Sequence, residues 1–365
     1  MPSRFTTALA LGLCAVTTPS ATAVAQTPAP GESLPHVIRE GYPEEMAVAL
    51  AQHDAALKSA AKSKALASPF SFIIISTGRW DPGSTIDVAF KGGTPALYAE
   101  IEEAVKVWTA PDAANIRFRF RDAAGAWNQW SESDTTHRGE IRIAFDRSGY
   151  WSSIGKGSID TTLPGGRPHE ASMSLQDFDT DARPDDWRGI VRHEFGHALG
   201  FAHEHQHPKA GCDFRYFDDP GYKRQTDTAG WYRVDDNGKR PGLYTYLGGK
   251  ANRWPKKRVD ENMKPITTSS AYEAGPFDRS SIMKYHFQAW EFAAGEKSVC
   301  YSGKAAEDLS KGDEAGARKA YPANASASAQ IILQNTQILQ QLQTAPGPSG
   351  RLQKSMTDRL RPLTK

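Results

Sequence analysis

Hydrophobic and polar positions along the chain follow two periods, and the switches between them mark the elements. Ile86, Val88 and Phe90 alternate with polar or small residues, which predicts a half-buried strand, and Phe72 to Ile75 is a short apolar run of strand type. Leu97, Ile101, Ala104, Val105 and Trp108 then recur at helical spacing. Thr94 stands where an N-cap belongs and Pro95 where a first helical residue belongs, so a helix is expected from there to near Pro111. The cleanest alternations follow, Ile116-Arg-Phe118-Arg-Phe120-Arg and Ile141-Arg-Ile143-Ala-Phe145, each with one apolar face. The Gly-rich polar stretch from Ser148 to Glu170 predicts a long loop, followed by a short strand at Met173 to Leu175. After an acidic turn, Trp187, Ile190, Val191, Phe195, Ala198 and Leu199 predict a second helix, capped by Asp185 or Asp186 and stopped by Gly200.

The two ends of the chain read differently. Arg4, the apolar run from Ala8 to Val16 and the small residues Ala23-Val24-Ala25 form an export signal spanning residues 1–25, too short to cross a bilayer. Residues 26–69, rich in Ala, Pro and Ser, read as a pro-segment or linker with a helix from Glu44 to Lys64. Residues 323–365 form a Gln-rich tail in which Ile331, Ile332, Ile338, Leu339 and Leu342 fit a short helix that packs on the catalytic domain or pairs with another chain, or else a partly disordered segment.

Composition narrows the choices. A chain of 365 residues with 39% hydrophobic and 24% charged residues has enough apolar material for a sizeable core, and a net charge of +2 offers no basic face for nucleic acid. No later segment reaches transmembrane length. Export to an oxidising compartment, secreted or periplasmic, leaves Cys212 and Cys300 as a pair expected to bridge.

The chemistry concentrates in HEFGHALGFAHEH, residues 193–205. His193 and His197, four apart on a helix, lie on one face and can bind one ion. A left-handed Gly200 would end the helix and turn the chain so that His203 reaches the same ion. Three imidazoles with an open position suit a catalytic zinc rather than a closed structural one. Glu194, beside the first ligand, can take a proton from a zinc-activated water and pass it to a leaving amine. His205 and His207 read as solvated loop histidines, His169 lacks partners at ligand spacing, and Asp177, Asp179 and Asp181 lack the glycine and distal glutamate of a calcium loop.

These residues match H-E-x-x-H-x-x-G-x-x-H, and with Glu204 after the third histidine the chain resembles the astacin branch of the metzincins. Phe277-Asp-Arg-Ser-Ser281-Ile-Met283-Lys-Tyr285 is similar to the astacin Met-turn. The resemblance implies zinc on His193, His197 and His203, Glu194 as general base and acid, and Met283 as an apolar floor. It further implies Tyr285 as a displaceable ligand that moves to stabilise the oxyanion, and Glu204 as an anchor for the mature N-terminus. It implies an α+β metzincin fold over residues 70–322: an upper lobe (70–202) with a mixed twisted sheet and two long helices, an irregular lower lobe (203–322), and a cleft between them. The strand at Met173 to Leu175 would be the upper edge to which an extended peptide adds. The final helix would run from near Leu309 to Tyr321.

The chain departs from the animal astacins in having His205-Gln206-His207-Pro208 after Glu204 and only two cysteines in its mature part, which suggests a divergent microbial member. Residues 26–68 contain no cysteine to act as a thiolate switch on zinc, and they match no aspartate-switch motif of astacin pro-segments. The expected function is that of a secreted zinc endopeptidase acting on peptide or protein substrates. The alternative is a zinc-containing binding or adhesion module without turnover, in which Glu194 would have no use.

Overall fold

The computed structural model describes residues 28–38, 40–64, 74–75, 78–110, 113–266, 272–273, 275–344 and 350–363. The expected export signal lies outside them. In chain order the elements are α1 (Glu44–Lys64), β1 (Ile74–Ile75), β2 (Thr85–Lys91), α2 (Pro95–Thr109), β3 (Arg117–Arg119), β4 (Ile141–Ala144), β5 (Tyr150–Ser152), β6 (Met173–Leu175), α3 (Trp187–Ala198), α4 (Leu243–Tyr246), α5 (Lys256–Met263), β7 (Tyr272–Glu273), α6 (Lys311–Ala320), α7 (Ala325–Gln343) and α8 (Gly350–Leu360).

The main sheet has the order β3-β2-β4-β6-β5, with β5 antiparallel to β6 and the other neighbours parallel. The mixed sheet is as expected, but its edge is not. Met173 to Leu175 lies inside the sheet, and the edge strand is Tyr150–Ser152. That strand has only three residues inside a glycine-rich stretch, too short to show a period of two. The run ending at Ile75 pairs not with this sheet but with β7, and its first half falls outside the described residues.

The period-two pattern places Ile86, Val88, Phe90, Ile141 and Ile143 on one face, where they form a common core with α2 and α3. Thr94 Oγ1 accepts a hydrogen bond from Leu97 N–H, fixing the start of α2 as the sequence predicts. Asp186 precedes α3 without any side-chain capping bond. Between its apolar neighbours, Arg142 points to the other face and is fully buried. It donates to the carbonyls of Ser158 and Gly165 at 2.7 Å and of Glu170 at 2.8 Å, so one guanidinium holds the return loop behind the edge strand. Burial pushes its pKa down to about 9.

A second core built on Phe214, Leu243, Tyr246, Trp254, Phe287, Trp290 and Phe292 fills the irregular lower region, beside the Cys212–Cys300 disulfide. The two regions are joined: Ile282, Met283 and α6 residues Ala317 and Ala320 belong to the upper core. Ser310 and Asp313 form the capping box of α6, and Asp313 also accepts from Ser281 Oγ (2.6 Å) and Ile282 N–H (2.8 Å). The last helix of the expected domain therefore locks the Met-turn in place. The tail beyond it is ordered as a helical hairpin, α7 and α8, packed on the rest of the chain.

Candidate active site and metal centre

α3 carries His193, Glu194 and His197 on its inner side, all buried. Its end is a Schellman motif: Gly200, at φ +98°, donates to His197 O (2.7 Å) and Phe201 donates to Gly196 O (3.0 Å). Only a residue without a Cβ takes that conformation cheaply, and the reversal brings His203 back beside the helix. The Nε2 atoms of His193 and His197, and of His197 and His203, lie 3.0 Å apart. Below them Met283 is buried against Gly196, where an added Cβ would stand 2.2 Å from the Met283 sulfur.

Hydrogen bonds on the far side of each ring decide what these nitrogens can do. His193 Nδ1 donates to Ile282 O (2.5 Å) and His197 Nδ1 donates to Phe201 O (2.7 Å), while His203 Nδ1 meets Gln206 Oε1 at 3.3 Å. With Nδ1 carrying the proton, the Nε2 lone pairs face one another. Lone pairs so placed repel unless a positive charge sits among them, and imidazoles fixed from behind by carbonyls are the usual setting of zinc ligands. The residues fit zinc.

Sequence reasoning missed a fourth member. Glu40 Oε1 lies 2.9 Å from His193 Nε2 and 3.0 Å from His197 Nε2, and it also contacts His203 Nε2. Among the described residues, Glu40, His193, His197 and His203 form the one group able to hold a metal ion. Burial would push the Glu40 carboxyl up, but the neighbouring His193 and His203 rings hold it well below the usual range. Burial lowers the His193 pKa and the Glu40 charge more than restores it, for a net rise. No spacing rule links residue 40 to residue 193, and an isolated carboxylate in irregular chain carries no pattern.

The remaining predicted residues gather round this centre. Glu194 is buried with Oε2 lacking a hydrogen-bond partner; burial and then the Glu40 charge push its carboxyl well up. Tyr285 packs its ring 4.4 Å from that of His203, and its hydroxyl is also buried and unpartnered. Two buried polar atoms without partners beside the histidine cluster mark a site whose contents are not all protein. Glu204 accepts from Asp278 N–H (2.8 Å), at the start of the Met-turn, and burial pushes its carboxyl up to about 8. His205 and His207 are not solvated as expected: both are buried, donating from Nε2 to Asn262 O (2.8 Å) and Gly275 O (2.6 Å).

The cleft is occupied by the chain's own residues 36–38 and 40–42. Gly41 N–H donates to Tyr150 O (3.0 Å) on the edge strand, and Glu40 bridges Tyr150 in the parallel sense. Tyr42 OH donates to Ser152 O (2.6 Å). On the lower side, Tyr246 OH donates to His36 O and accepts from His36 N–H, each at 2.8 Å.

No family model and no curated protein sequence matches the chain. Among solved structures it is similar to myroilysin, at 28% identity and a TM-score of 0.50, over 69% of this chain and 98% of that one. A second myroilysin structure (28% identity, TM-score 0.39, 67% of this chain and 86% of that one) is a looser match. So is high choriolytic enzyme 1, a hatching enzyme zinc-protease from the medaka fish Oryzias latipes (18% identity, TM-score 0.36, 67% and 94%). A likeness over nearly the whole of one solved neighbour joins a three-histidine centre built on H-E-x-x-H-x-x-G-x-x-H above a buried Met283, and together these make the chain similar in fold and site to the metzincin zinc proteases of the astacin kind.

Proposed function

We propose that the chain is an exported zinc endopeptidase held latent by its own residues 26–69, with Glu194 as general base and acid and Tyr285 as oxyanion donor. The observation that carries this reading is the convergence of His193, His197 and His203, each with its Nδ1 side engaged, on a point filled by an oxygen of Glu40. Zinc on the three imidazoles would supply Lewis acidity and make water a nucleophile at neutral pH.

The chain's own residues supply the rest. Glu194, unpartnered at Oε2, takes the proton released as water attacks the scissile carbonyl and delivers it to the departing amine nitrogen. Tyr285, whose hydroxyl has no competing partner, donates to the carbonyl oxygen as negative charge develops there. Its place beside His203 supports the further role of displaceable ligand that the astacin resemblance implies. Met283 and Gly196 keep the floor apolar and close-packed. An extended substrate adds to the edge strand Tyr150–Ser152, which the pro-segment now covers. Glu40 Oε1 stands where the three histidine nitrogens converge and would keep a substrate carbonyl out of that place in the uncut chain. Residues 70–322 are the catalytic domain in this reading, with the cleft between the lobes 70–202 and 203–322.

The test measures zinc content and casein hydrolysis for protein freed of residues 1–69, beside the same protein carrying Glu194→Ala. Wild type binding about one zinc and cleaving, with the variant keeping zinc and losing cleavage, is the expected result. Zinc in both and cleavage in neither would replace this reading with a binding module.

A further inference from the structure

α1 presents Met46, Leu50, Leu57 and Ala60 on one stripe, and the two halves of that stripe meet different bodies. Met46 and Leu50 pack with Ala89, Trp130, Ala144 and Trp151 on the sheet face turned away from α2 and α3. Leu57 and Ala60 are buried in a separate cluster with Leu339 and Leu342 of α7 and Leu352 and Met356 of α8. That cluster takes no side chain from either of the two main cores.

The hairpin holds to the catalytic body by contacts that do not involve α1. Arg359 pairs with Asp160 at 3.0 Å, both buried, and Ser355 donates to the same carboxylate. Asp358 accepts from Thr161 N–H (2.9 Å) and Oγ1 (2.6 Å), and Arg351 donates to Thr162 O (2.6 Å). Arg79 donates to Asn335 of α7 at 2.8 Å. The guanidinium of Arg359 also donates to His53 Nε2 of α1 at 3.2 Å, and burial followed by the Arg359 charge holds the His53 pKa down to about 4, so the ring is a neutral acceptor. The hairpin is thus attached to the body while offering four apolar side chains and a hydrogen bond to a helix that precedes the catalytic domain.

We propose that the α7–α8 hairpin is a receptor for α1 of this same chain, which keeps residues 28–64 bound as a noncovalent inhibitor after the chain is cut between Lys64 and the catalytic body. The proposal rests on the reading of residues 26–69 as a pro-segment. The occupant is fixed by what is seated there: α1 supplies the residues that close the cluster, at a register that also sets Glu40 at the histidines. Most of a helix's stability in a protein comes from packing of its apolar face, so these faces support the fold of α1. Three linked attachments, cleft, sheet face and hairpin, must all open for release, and while one holds the others rebind at high effective concentration.

The experiment places a specific protease site between Lys64 and Phe70 of the full-length chain, cuts it, and follows the N-terminal fragment by gel filtration. The cut wild type is expected to keep the fragment, including after zinc is removed with a chelator. Leu57→Glu, which alters only the pro-helix, should release it at least ~10-fold faster. Immediate separation of the wild-type fragment, release on chelation alone, or equal retention of the Leu57→Glu fragment would each overturn the proposal. Co-elution is read without any peptidase assay, so failure of the endopeptidase reading would appear separately, in zinc content and casein cleavage.

Discussion

His193 and His197 donate Nδ1–H to the carbonyls of Ile282 and Phe201, whereas His205 and His207, less than four turns further along the chain, donate Nε2–H to the carbonyls of Asn262 and Gly275. The side chains are the same and all four are buried. In the first pair the outward nitrogen is left as a lone pair aimed at a common point; in the second the outward nitrogen is spent on the scaffold. A histidine therefore becomes a ligand through the position of the carbonyl behind it, and residue type alone does not distinguish the two pairs.

The comparison can be broken most directly by removing one ring from each pair. His197→Ala should lose tight zinc binding and lower casein cleavage by roughly 10³-fold or more, read by metal analysis and initial rates. Glu194→Ala should keep about one zinc and lower the rate by roughly 10²- to 10⁴-fold, since it touches neither ring pair. On the proposed latent state, Glu40→Ala in the uncut chain should raise turnover roughly 10-fold or more, because the lone pairs then face an open position; unchanged turnover would show that burial by the rest of the segment is enough without the carboxylate. His207→Ala should leave zinc content as it is and lower the melting temperature by roughly 3–8 °C through a lost buried hydrogen bond and cavity. Loss of zinc from that variant would erase the distinction between the pairs.

The smallest effect is a pH dependence. Burial, and behind it the Lys209 charge, hold the His207 pKa below its ordinary value despite the Gly275 carbonyl. The unfolded chain then binds a proton at a pH where the folded one does not. The stability owed to His207 is complete above about pH 6.5 and declines as pH falls below it toward the folded pKa. The difference between wild type and His207→Ala in urea midpoints should narrow over that range.

Legibility in the sequence followed periodicity. α1 and α2, the strands β2 to β4 and the helix ending at Gly200 could be read because several side chains share each burial face, and the metal ligands because a helix fixes the four-residue spacing. The edge strand could not, because three residues between glycines show no alternation. Glu40 could not, because it reaches the histidines through irregular chain anchored by backbone contacts with Tyr150 and by Tyr246. The burial of His205 and His207 escaped notice because polar flanking residues suggested solvent, whereas the carbonyls that receive them lie some 55 to 70 positions later. Cys212 and Cys300, by contrast, bridge as the expectation of an oxidising compartment implied.

Gly196 sits with the Met283 sulfur where its own side chain would be, and Trp108 closes the remaining side. Mechanically this is a weld: the helix bearing the ligands and the turn beneath it cannot slide or part without opening a void in a shared core. On the proposed latent state, access to the histidine centre would be governed by residues 36–38 and 40–42 laid across the groove, and the rate at which they are cut free and shed would set how fast the protein is switched on.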